Sequence, residues 1–108
     1  MDAWSLINTV CMNYLEFEWD EEKGKANIRK HGVSFEEACS AFYDEQAMQY
    51  YDPESSEDED RFLLLGLSAD LKTLVVSHCF REEDTLIRII SARKADNSEQ
   101  SVYWSKRT

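Results

Sequence analysis

Two histidines, His31 and His78, and two arginines, Arg88 and Arg93, carry most of the chemical potential of this 108-residue chain. An imidazole with an ordinary pKa of about 6.5 can take and give a proton at neutral pH. A guanidinium keeps its charge, and its planar fork matches two phosphoryl oxygens. Cleavage of a phosphodiester by a neighbouring hydroxyl is one reaction that uses both: a base removes the hydroxyl proton, cations stabilise the dianionic transition state, and an acid protonates the leaving oxygen. The chain thus holds a minimum kit, and each member has a plainer reading beside it.

His78 sits in the apolar run Leu74 to Phe80, where a core histidine with a satisfied hydrogen bond is the plain alternative to a proton-transfer group. His31 ends a basic stretch beside Gly32, where a cation also favours a helix C-terminus. Arg88 interrupts Leu86-Ile87-Arg88-Ile89-Ile90; a charge in a buried strand needs either a carboxylate partner or a phosphate to bind. Arg93 and Lys94 leave that strand next to a helix start that could hold an anion, or form an ordinary solvated pair. Tyr103 is either core or a hydroxyl reaching the site, and Arg29 and Lys30 either touch RNA backbone or form a solvated face. Whether His78 and Arg88 share a sheet face depends on the intervening turn: an even loop separates them, an odd loop or a bulge joins them.

Position in the chain also qualifies the net charge of −10, which would otherwise argue against nucleic acid. Ten of the 22 acids fall between His31 and Asp60, a stretch with no Lys or Arg, so the rest of the chain has twelve acids against twelve bases. Charges are screened over roughly 8 Å at physiological salt, so an acidic loop elsewhere barely repels RNA on a distant surface. The acidic run Glu57 to Asp60 reads as solvent-exposed charge or as a contact for basic residues of a partner. Cys11, Cys39 and Cys79 are odd in number and show no CxxC spacing, which fits buried thiols in a reducing cytoplasm better than a disulfide scaffold or a zinc site. His78 and Cys79, being adjacent in a strand, would point to opposite faces. No apolar run reaches the roughly 18 residues of a membrane span, and residues 1–14 lack the marks of a secretory signal.

The elements that must position these side chains follow from pattern. Glu16-Phe17-Glu18-Trp19 alternates as a short half-buried strand; Asp20 caps a helix that runs to about His31, with Gly32 as its left-handed stop. Ser34 to Glu37 forms a capping box, and Phe35, Ala38, Cys39 and Phe42 line one helix face. Strands are predicted over Gln46 to Tyr51, Arg61 to Leu67, Thr73 to Phe80 and Thr85 to about Ala92, with a solvated loop from Asp52 to Asp60. Short turns should make the last three an antiparallel meander. Asp96 to Glu99 starts a final helix that Val102 and Tyr103 could anchor; Trp19, Phe35, Phe42 and Tyr51 are core by default. Residues 1–14 are a short helix or an extra segment. The expected organisation is an extension over 1–15 and one domain over 16–108, α+β in class, with an antiparallel sheet, two N-terminal helices and one C-terminal helix.

These residues resemble the BrnT family of toxins. Phe17-Glu18-Trp19-Asp20 matches the family's opening, and Asn27 with Arg29-Lys30-His31-Gly32-Val33-Ser34-Phe35-Glu36-Glu37-Ala38 matches its first signature. His78, Arg88 to Ala95, Glu99 and Tyr103 match the second. The resemblance spans about Phe17 to Trp104 and implies a small RelE-like fold and a cytoplasmic endoribonuclease that arrests translation without a metal or cofactor. It also implies a DNA-binding, BrnA-like antitoxin encoded alongside, through which promoter DNA would be reached, with RNA as substrate. The implied catalytic set is Arg88, His78, Arg93, His31 and Tyr103, with Lys30, Arg29 and Lys94 on the RNA. Family members often carry a basic residue where this chain has Leu86, and a basic helix start where it has Asp96-Asn97-Ser98. A non-enzymatic or attenuated binding module, acting in the antitoxin complex and in promoter control, is therefore the alternative.

Overall fold

A computed structural model describes residues 7–12, 15–83 and 85–105, with side chains from residue 15 onward. Strand β1 (Ile7–Met12) leads into β2 (Leu15–Asp20), followed by helices α1 (Glu21–His31) and α2 (Phe35–Ser40). Four strands follow, β3 (Met48–Tyr51), β4 (Phe62–Leu67), β5 (Thr73–Arg81) and β6 (Leu86–Lys94), before α3 (Asn97–Ser105). The class is α+β, as expected. One six-stranded sheet has the order β1-β2-β6-β5-β4-β3. The meander β4–β5–β6 is antiparallel, as its short connections require. Two expectations change. Residues 7–12 are not the short helix offered as one alternative but an edge strand paired with β2. The sheet is also not wholly antiparallel, because β2 runs parallel to β6; no tight turn links these two, so no local pattern set their direction.

The two N-terminal helices are fixed by the caps read from sequence. Asp20 accepts from the backbone N–H groups of Glu22 and Lys23, and Gly32, at φ 71°, ends α1 with its N–H on the Ile28 carbonyl. Ser34 accepts from Glu37 N–H at the start of α2. Buried Asn27 then ties α1 to the sheet. Its Nδ2 donates to the carbonyls of Val33 and Ala92, and its Oδ1 accepts from Ala92 N–H. One amide thereby holds the end of α1 beside the end of β6.

Side-chain alternation divides the sheet into two faces. The first face carries Phe17, Trp19, Leu64, Leu74, Val76, Ile87 and Ile89, packed against Val33, Phe35, Ala38 and Cys39 of the α1–α2 layer. The second face carries Leu65 and Val75 under Tyr103 of α3 and Ala95. Tyr103 is the anchor of α3, whereas Val102, expected to share that role, is 44% exposed. Tyr51, expected in the core, is also exposed, at the sheet edge. A β-bulge interrupts β6: Ile89 lies opposite His78 and Ser91 opposite Ser77, which leaves Ile90 without a partner residue.

Candidate functional site

The bulge decides where the arginines of β6 point. Arg88 and Arg93 are five residues apart and would occupy opposite faces of a regular strand. The extra residue Ile90 shifts the alternation, so Arg88 (opposite Cys79) and Arg93 (opposite Val75) both belong to the second face. The same alternation places Arg81 of β5 and Arg61, just before β4, on that face. Four of the chain's six arginines thus share one side of the sheet.

Each of the four meets a carboxylate. Arg88, only 4% exposed, holds Glu18 of the neighbouring strand through Nε and Nη2, both 2.5 Å from Oε1. Arg93 makes a bidentate pair with Glu99, Nη1 to Oε1 at 2.8 Å and Nη2 to Oε2 at 2.9 Å. Glu99 also closes a capping box with Asp96 at the start of α3. The hydrogen bonds from Arg93 hold the Glu99 carboxyl down at about 2 and push the guanidinium's own pKa up. Arg61 and Arg81 share Glu59, at 3.9 and 3.8 Å. Glu59 also reaches Cys79, whose thiol is pushed up to about 12 by burial first and by this carboxylate second.

His78 is elsewhere. Four residues separate Arg81 from Leu86, an even loop, and the bulge lies beyond Arg88, so His78 and Arg88 face opposite sides of the sheet. His78 is fully buried among Phe42, Phe62 and Phe80. Its Nδ1 lies 3.0 Å from the Val76 carbonyl and its Nε2 2.9 Å from Gln49 Oε1, and burial lowers its pKa to about 4. It is the core histidine of the plainer reading. Tyr103 is likewise core, 1% exposed, with its hydroxyl donating to Asp44. His31 stands half-exposed in the last turn of α1, with Arg29 and Lys30 exposed beside it, and Lys94 is exposed at the end of β6. One helical turn, about 6 Å along the axis, separates His31 from Asn27, which holds the Ala92 backbone just ahead of Arg93.

The structure does not bring His78 together with Arg88 and Arg93, a choice that the sequence left to the intervening turn. What the structure unites is the arginine set of the second face with Glu18, Glu59 and Glu99. Sequence reasoning missed Glu18, Glu59, Arg61 and Arg81. The alternation of Glu18 with Phe17 and Trp19 put it on the face opposite the core, but naming Arg88 as its partner required the parallel β2–β6 register. Among the described residues no group of three or more His, Cys, Asp or Glu is arranged to hold a metal ion, and His78 and Cys79 diverge as adjacent strand residues must. Cys39 and Cys79 are buried free thiols, and Cys39 too is raised to about 12 by burial. The side chain of Cys11 lies outside the described residues.

Comparison with known families supplies the identity. Residues 19–99 match the family model described as the ribonuclease toxin BrnT of type II toxin–antitoxin systems. The chain belongs to the BrnT family. Among solved structures it is similar to the Brucella abortus ribonuclease toxin BrnT, at 27% identity and a TM-score of 0.49, over 73% of this chain and 94% of that one. No curated protein sequence matches it. The stretch shared with the BrnT model contains His31, His78, all four second-face arginines, Glu59 and Glu99; Glu18 lies one residue before it and Tyr103 four beyond it. Membership in a type II toxin–antitoxin family implies an antitoxin as partner. No helix among the described residues is long and apolar enough to cross a membrane.

Proposed function

We propose that this chain is a cytoplasmic endoribonuclease toxin that cleaves RNA without a metal, arrests translation and is neutralised by a cognate DNA-binding antitoxin. The observation that carries the reading is the bulge at Ile90, which gathers Arg88 and Arg93 on one sheet face with Arg61 and Arg81. A phosphodiester lying on that face exchanges carboxylates for its own oxygens. It displaces Glu99 from the half-exposed fork of Arg93 and Glu59 from Arg61 and Arg81, while Arg88 stays clamped by Glu18 as a fixed charge beneath. The 2′-hydroxyl attacks phosphorus, the bond to the 5′-oxygen breaks, and the products are a 2′,3′-cyclic phosphate and a free 5′-hydroxyl. Of the two histidines, His31 is the one with solvent access, and it belongs to the helix layer on the other side of the sheet from the arginines. The proton transfers therefore fall to it for RNA that wraps around the Ala92–Lys94 end of β6, where Asn27 anchors α1 and where Arg29, Lys30 and Lys94 flank the RNA backbone.

Arg93→Ala is the informative variant, because its partner pair is partly exposed. Purified chain with single-stranded RNA in EDTA should cleave, and Arg93→Ala should lose about 10²-fold in kcat/KM, the usual scale for one transition-state donor, with an unchanged circular-dichroism spectrum. Full activity in Arg93→Ala overturns the site; cleavage that stops in EDTA and returns with a divalent ion overturns the metal-free step.

A second reading has its own support: every arginine of the face already has a carboxylate, and His78 is sealed in the core. A chain so neutralised would serve as a binding module in the antitoxin complex and in control of its own promoter. Expression without the antitoxin separates the two, since growth stops only if the chain is an active toxin.

A further inference from the structure

Beside α3, the second face holds an apolar groove of about 270 Å³ lined by Tyr50, Leu63, Leu65, Val75 and Val102. It is smaller than the roughly 300–1,000 Å³ of small-molecule sites, so it suits side chains of a partner segment better than a free ligand. Its walls include two large apolar side chains left wet, Tyr50 and Val102, each 44% exposed. Among the apolar residues of the groove, these two are the ones that intramolecular packing leaves exposed, and Ser98 and Glu99 of α3 complete its wall.

At one end the groove opens toward a mainly acidic loop. Leu63 in its floor is two residues from Arg61 on the same face of the chain, about 7 Å along a strand. Arg61 lines a second depression together with Glu54, Glu57, Asp58 and Glu59, four acids to one base. That loop is held in shape: Ser56 Oγ donates to the Asp52 carbonyl and accepts from Arg61 N–H, and Tyr51 hydroxyl donates to Asp60. An apolar slot therefore runs into a shaped acidic hollow. A chain segment that fits both presents aliphatic or aromatic side chains followed by Lys or Arg.

We propose that this groove and the adjoining acidic loop are the docking surface for the antitoxin, through a segment whose apolar side chains fill the Tyr50–Val102 slot and whose basic residues reach Glu54, Glu57 and Asp58. The proposal rests on the toxin–antitoxin reading, which supplies a protein partner. It also gives a role to the acidic run, which the cleavage chemistry does not use beyond Glu59. A segment so placed lies next to Glu99 and Glu59, the two carboxylates that RNA must displace. Antitoxin binding and RNA binding then exclude one another on the same face.

The test is a binding titration of the intact chain with the antitoxin encoded beside it, read by isothermal calorimetry, with RNA cleavage by each free variant as a separate readout. Val102→Glu, a change at an exposed helix position, should weaken antitoxin binding by at least about tenfold while leaving RNA cleavage unchanged, as expected for an anchor that fills a pocket. The triple variant Glu54→Gln, Glu57→Gln, Asp58→Asn should weaken binding several-fold at low salt, with the difference vanishing at high salt. Wild-type affinity in both variants overturns the proposal and leaves the toxin reading standing. No binding by the unaltered chain overturns both. Sedimentation showing a dimer of the free chain that Val102→Glu dissolves would assign the groove to a second copy instead, and would also overturn the proposal.

Discussion

Arg88 has given up water for the carboxylate of Glu18, and that exchange governs what can be learned from mutating it. Removing one partner of a buried ion pair typically costs about 3–5 kcal/mol, because the other charge is stranded. Arg88→Ala should therefore lower the midpoint of urea unfolding sharply. Arg88→Met with Glu18→Leu should recover most of the loss. An Arg88→Ala variant as stable as the parent would mean that the Glu18 pair is not formed. His78 makes a second residue-scale prediction. Its folded pKa of about 4 lies below the ordinary value, so between roughly pH 6.5 and 4 the unfolded chain binds more protons than the folded one. Stability should fall as pH drops through that window, by about 3 kcal/mol once fully expressed, and His78→Gln should flatten the slope. An unchanged slope in that variant would show that His78 is not sealed.

Among the elements, the end of α1 and the bulge of β6 do the positioning. Asn27 satisfies three backbone groups at once. Asn27→Ala leaves them stranded in the interior at about 1–3 kcal/mol each if no water replaces the amide. The expected result is a loss of roughly 3 kcal/mol or more in chemical denaturation, together with reduced cleavage, because His31 is then no longer held near the end of β6. A variant with full stability would show that the helix is seated by its other contacts. The start of α3 depends on Glu99 both as cap and as partner of Arg93. Glu99→Gln should cost about 1 kcal/mol, the scale of a lost cap, and at the same time tighten RNA binding by releasing the guanidinium. Weaker RNA binding would mean that Glu99 positions Arg93 for the phosphate instead of competing with it. These helix ends were legible in sequence because caps are local: Asp20, Gly32 and Ser34 each act within a few residues of themselves. The bulge was not legible, since nothing in Arg88-Ile89-Ile90-Ser91 marks Ile90 as the residue that β5 will skip.

Over the whole molecule, charge is segregated by surface. Four arginines lie on the second sheet face, and the acids of residues 52–60 lie in a loop beside them, with Glu59 reaching across. RNA binding should therefore be salt-dependent with a small slope. Three phosphate contacts, from Arg61, Arg81 and Arg93, at roughly 0.7 each give about −2 for log K against log salt on a single strand. A slope near zero would show that these arginines do not meet the backbone. The net charge of −10 thus says little about the site, because at physiological salt what matters is the field within roughly 8 Å.

Composition and periodicity were enough for the class of fold, the order of its elements from β2 onward and the helix ends capped by Asp20, Gly32 and Ser34, and two long signatures pointed to the family. All of these depend on interactions among near neighbours in the chain. Partnership across the sheet depended instead on long-range register: Glu18 beside Arg88 through a parallel pairing, Glu59 between Arg61 and Arg81, and His78 turned away from them all. A one-residue difference in pairing reverses every side chain beyond it, so those choices were made only when the strands met.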